Sequence, residues 1–146
     1  MLLLADRYLS AWHGSDDSDE AADGDTDYDR ACAINDYAGS IAVADSQAIV
    51  LGDASMHAVW WPLATDRGVV ARVEFTESDE HLRKLLRETD YEALKGGDLE
   101  LVLPPGGLWL FEAAYGGDEL TSNSLRIDLP AGRYRVRTHA LQTKSV

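Results

Sequence analysis

Residues 125–138 read LRIDLPAGRYRVRT, and this stretch sets the fold class. Leu125, Ile127 and Leu129 alternate with Arg126 and Asp128. After Ala131-Gly132, Tyr134, Val136 and Thr138 alternate with Arg133, Arg135 and Arg137. Successive side chains of a strand point to opposite faces, so strict alternation marks a strand with one face on a core and one in water. A turn pair between two such runs predicts a hairpin. The three arginines then share one strand face.

The same signature recurs upstream. Leu99, Leu101 and Leu103 alternate with Glu100 and Val102 before Pro104-Pro105-Gly106-Gly107, and residues 108–114 follow as another strand. Residues 41–44 and 47–51 are short Ile- and Val-rich runs around Asp45-Ser46, a tight hairpin by spacing. Residues 58–63 and 69–75 are further strands, and Leu2, Leu3 and Leu4 form a first one. Residues 6–12 have the spacing of one or two helical turns. One segment reads clearly as a helix, at about residues 77–89. Leu82, Leu85 and Leu86 lie on one face, with Glu77, Glu80, Arg83, Lys84 and Arg87 on the other. Thr76 with Asp79 has capping-box spacing, and acids precede bases as the helix dipole prefers. The predicted class is α+β, mainly β, with antiparallel sheets that are sandwich-like or strongly curved.

A length of 146 residues fits one domain, 1–146, large enough to fold without disulfides. Twenty-six acids face thirteen Lys and Arg, a net charge of -13. That charge repels nucleic acid and anionic membrane and favours cationic partners. The single cysteine and the absence of a signal-like start point to a cytoplasmic protein.

Catalytic signatures are missing. No two of His13, His57, His81 and His139 have metal-ligand spacing, and none pairs with Cys32 in a zinc pattern. Cys32 sits among Ala31, Ala33 and Ile34 and reads as a small buried residue. The glycine pairs match no phosphate loop, and no serine occupies a nucleophile elbow. Asp25, Asp27 and Asp29 alternate like calcium ligands, but Arg30 stands where the loop needs glycine and Asp36 where it needs glutamate. The reading is a non-enzymatic binder with no cofactor and no metal.

Two features suit binding. Residues 14–29 carry eight acids and no base, with a flexible loop expected at 14–27. Asp16, Asp17, Asp19, Glu20, Asp23, Asp25, Asp27 and Asp29 would draw in a basic partner. Trp60 and Trp61 are adjacent in a strand, so one can pack inward while the other faces out as an anchor. The arginine stripe, in so acidic a chain, is expected to face acids across a strand pair.

Three blocks in order resemble the Immunity protein 21 family of bacterial polymorphic-toxin systems. They are DYDRACAINDY at 27–37, QAIVLGD at 47–53 with the tryptophan strand after it, and LRIDLPAGRYRVRT at 125–138. The opening LLLADRYLSAWHG is similar to the family's apolar strand and its leucine- and tryptophan-containing sequel. The resemblance leads one to expect a short lead-in before the leucine run, a strand after residue 140, and a shorter acidic insertion than the one here. It implies a protein that binds and neutralises a cognate toxin, and the net charge of -13 adds the expectation that the toxin domain is basic. The alternative reading is a β-sandwich module binding a carbohydrate or small ligand on a tryptophan platform.

Overall fold

A computed structural model describes residues 1–15, 26–35, 38–52, 57–73, 78–121 and 123–139. Its centre is a five-stranded antiparallel sheet in the order β2-β3-β1-β7-β8. The strands are β1 (Leu2–Ala5), β2 (Ala38–Val43), β3 (Ser46–Leu51), β7 (Leu108–Phe111) and β8 (Leu125–Ile127). Two further hairpin-like ribbons pair β4 (His57–Ala64) with β5 (Arg67–Val73), and β6 (Asp98–Leu103) with β9 (Gly132–Arg137).

The leucine run explains the layering. All of β1 is buried, because it lies between β3 and β7 with both faces covered. Leu2 and Leu4 face a core with Ala48, Val50, Phe111 and Trp12. Leu3 and Ala5 face a second core with Ile49, Leu110 and Ile127. The first core is closed by a short 3-10 helix at Asp6–Ala11 and by helix α1 (Asp27–Cys32), through Tyr8, Leu9, Tyr28 and Ala31. The second is closed by the two ribbons, through Leu101, Leu103, Val136, Trp60 and Val70. The architecture is α+β and mainly β, as the alternation predicts.

The main helix, α2, spans Asp79–Glu88. Ser78 caps it, its hydroxyl accepting from the His81 amide at 3.1 Å. The sequence pointed to Thr76, which lies outside the described residues. Leu86 is buried, Leu82 and Leu85 are half-buried, and Asp79, Glu80 and Arg87 sit at the ends the dipole favours.

The hairpin expected within 125–138 does not form. β8 pairs with β7, and β9 pairs with β6. Alternation fixes which face of a strand is apolar but leaves its partner open. Across Pro130, which has no amide to donate, the chain leaves the central sheet for the covering ribbon. There β6 offers Asp98 and Glu100 to the arginines, where β8 would have offered a further arginine. The ladder expected for that stripe is present. Arg133 meets Glu100 at 3.0 Å, Arg135 meets Asp98 at 3.4 Å, and Arg137 meets Asp98 at 3.9 Å. All are exposed, so each pair contributes at most about 1 kcal/mol.

The β2–β3 hairpin is present, with its turn at Ala44-Asp45 rather than Asp45-Ser46. Ala44 has φ 52°, a left-handed conformation that strains a residue with a Cβ. Ala44→Gly is therefore expected to stabilise the fold by about 0.5–1 kcal/mol, after allowing for glycine's extra freedom when unfolded. A urea midpoint that rises at constant slope is the check.

Candidate partner-binding surface

The described residues on either side of the acidic segment meet at one place. Gly14, at φ 64°, lies against the backbone of Ala114, Tyr115 and Gly116, where a Cβ would collide with the Ala114 carbonyl. The Ser15 amide and hydroxyl both donate to that carbonyl, at 2.9 and 3.0 Å. The Tyr28 amide donates to the Gly14 carbonyl at 3.0 Å, and the Gly117 amide to the Trp12 carbonyl at 2.8 Å. These bonds form a stem that holds residues 12–15, 26–28 and 114–117 together.

Asp16, Asp17, Asp19, Glu20, Asp23 and Asp25 lie outside the described residues. Asp27 and Asp29 are inside them, and both serve the stem. The loop expected at 14–27 gives way at its end to a helix, Asp27–Cys32, which no strand alternation or helical spacing marks. Thr26 and Asp29 make a reciprocal capping box: the Asp29 amide donates to Thr26 Oγ1 at 3.1 Å, and the Thr26 amide donates to Asp29 Oδ2 at 3.4 Å. Asp27 accepts from the His13 amide at 2.8 Å and from Arg30 at 2.9 Å. The Thr-x-x-Asp spacing at 26–29 was the available signal.

Cys32 is exposed, contrary to the buried reading. On so short a helix Ala31 takes the inward position, and the next residue is carried about 100° around the axis. Cys32 borders a cavity of about 400 Å³ with Tyr28, Ile34, Val50 and Glu112 among its lining residues. Its thiol, hydrogen-bonded to the Tyr28 hydroxyl, pushes that phenol above its ordinary pKa, with smaller contributions from Cys32 charge and burial.

Trp60 and Trp61 are both half-buried. Trp60 lies across Gly68 of the facing strand and packs on the second core. Trp61 stands opposite Val69. Among the described residues, the large aromatic that is exposed is Tyr115, at 47%. It sits on the turn that receives Ser15, close to the exposed acids Asp118 and Glu119. The strand expected at 108–114 stops just short of it, and an aromatic directly before Gly116-Gly117 is the only hint the sequence offers.

Among the described residues no three His, Cys, Asp or Glu side chains converge in a way that could hold a metal ion. None of the described helices is long and apolar enough to cross a membrane.

A family model described as Immunity protein 21 matches residues 1–146. The chain belongs to the Immunity protein 21 family. No curated protein and no solved structure matches it. As an Immunity protein 21 member, it keeps the DYDRAC block as helix α1, with Ala31 buried in the first core and Tyr28 packed against it. The QAIVLGD block supplies most of β3, the neighbour of the central strand β1.

Burial raises the phenols of Tyr91 and Tyr134 above the ordinary value of 10.0, with Asp66 adding to the effect at Tyr134. Their hydroxyls donate to the carbonyls of Leu86 and Pro130. A folded pKa above the unfolded one gives stability that is complete below pH 10.0 and is lost as pH rises through the folded values. The unfolding midpoint is expected to fall on the alkaline side as tyrosinate absorbance develops. A midpoint indifferent to that titration would contradict this.

Proposed function

We propose that this immunity-family chain protects by binding a cognate toxin domain and blocking it, and that the partner is basic. The observation that carries this is the family match along the whole chain. The charge of -13 supports the sign of the partner. In this reading Asp16, Asp17, Asp19, Glu20, Asp23 and Asp25 act as an electrostatic lure. Asp27 and Asp29 hold the stem that flanks the acidic segment. Tyr115, exposed among acids on a turn fastened by backbone bonds, is the aromatic anchor this surface offers. Trp60 and Trp61, half-buried, contribute less.

The protein acts as a binder rather than a catalyst. Its test is reconstitution with the toxin domain encoded beside its gene. A stoichiometric complex in which toxin activity is lost supports the reading, and a toxin that stays fully active in excess of this chain refutes it.

A further inference from the structure

β2 is one of the two edges of the central sheet, and among the described residues its outward main chain is largely open to pairing. In an antiparallel ladder the amide and carbonyl of one residue point the same way, and successive residues alternate between partner and outside. Val43 and Ser46 flank the two-residue turn as a bonded pair, so Val43, Ile41 and Gly39 address β3. Ala42, Ser40 and Ala38 therefore point outward. One bond fixes this phase independently: Arg30 Nη1 donates to the Ala42 carbonyl at 3.1 Å from outside the ladder. Among the described residues, no other hydrogen bond reaches the outward groups of these three residues.

Edge strands are normally guarded by a lysine, a proline, a bulge or short length. β2 has the sequence AGSIAV and pairs with β3 through six consecutive residues without a register shift. The opposite edge, β8, is three residues long and carries Arg126, which is held by Asp128 at 3.1 Å and by the Gly106 carbonyl at 2.9 Å. Only β2 among the two edges is long, uncharged and regular.

We propose that β2 is a docking strand: the toxin domain adds an extended, cationic segment to it, hydrogen-bonding to Ala38, Ser40 and Ala42. This rests on the toxin-binding reading above. Strand addition gains its affinity from main-chain bonds, which the outward groups supply. The charge beside the edge selects the occupant. Exposed Asp45 closes one end, exposed Asp29 and half-buried Asp27 lie on the adjacent α1, and Arg30 is the base among them. A second copy of this chain would bring another -13 charges to the same place, whereas a basic segment relieves them.

The test is amide hydrogen exchange at Ser40 and Ala42, in the free chain and with the toxin domain encoded beside its gene. Both amides should exchange fast in the free protein and slow by about tenfold or more in the complex. Ser40→Pro should weaken the complex by about tenfold while the fold survives, because proline is tolerated where an edge amide faces out. A complex that forms with exchange at Ser40 and Ala42 unchanged overturns the strand-addition proposal and leaves toxin binding intact. Protection that grows with protein concentration and needs no toxin makes the occupant a second copy, which also overturns it. Failure of any complex to form removes the toxin-binding reading, and the docking strand falls with it.

Discussion

Trp12→Ala is expected to cost the fold about 3–5 kcal/mol, a large part of the stability of an ordinary domain. The side chain is 1% exposed and belongs to the first core with Leu2, Leu4, Val50 and Phe111. Its indole Nε1 donates to the Ala113 carbonyl at 3.0 Å. Its own carbonyl accepts from Gly117, and the next residue, His13, donates to Asp27. One residue thus fills the core under the 3-10 helix and positions the stem of the acidic segment. Trp12→Phe separates these roles. It keeps much of the packing but strips the Ala113 carbonyl of its donor, at about 1–3 kcal/mol. Urea denaturation followed by circular dichroism measures both. An alanine variant within about 1 kcal/mol of the parent would mean that the site collapses around the loss and that the stem does not depend on it.

Neutralising Asp16, Asp17, Asp19, Glu20, Asp23 and Asp25 together, to Asn or Gln, should slow association with the toxin domain by about tenfold to a hundredfold at low salt. The dissociation rate should change little, because rim charges steer encounter more than they hold a complex. The dependence of the association rate on ionic strength should flatten, since screening then has less charge to act on. Stability should stay close to the parent's. The stem bonds come from Ser15, Thr26, Asp27, Asp29 and Tyr28, none of which is altered. Stopped-flow kinetics across a salt series reads the association rate, the dissociation rate and the salt dependence. An association rate that is unchanged at low salt contradicts the lure.

Much of the fold was legible because burial leaves a period in the sequence. The leucine run of β1 has no alternation, as befits a central strand covered on both faces. Leu82, Leu85 and Leu86 marked α2 by helical spacing. The arginine ladder was legible from charge: three like charges on one strand face of an acidic chain call for acids opposite them.

What was misread depends on information that a local pattern does not hold. Partner choice for β8 and β9 is decided by chain path across Pro130 and by the acids of a distant strand, Asp98 and Glu100. Helix α1 was hidden because its six residues are too few to show a period and its acids resembled the loop before them. Cys32 was misplaced for the same reason: without the helix its inward or outward position cannot be read. Of the candidate binding surface, the acids are plain from composition. The role of Asp27 and Asp29 in the stem, the exposure of Tyr115 and the open edge of β2 all arise from contacts between residues far apart in the chain.

Neutralisation of a toxin domain by binding, as proposed for this chain, is open to direct measurement. The most direct measurement titrates the chain into a candidate cognate toxin domain, recording calorimetric heat and residual toxin activity in the same series. Saturable binding is expected, with toxin activity falling to zero as the complex fills. Full toxin activity at saturating concentrations of this chain, or no binding heat at any concentration, would contradict it.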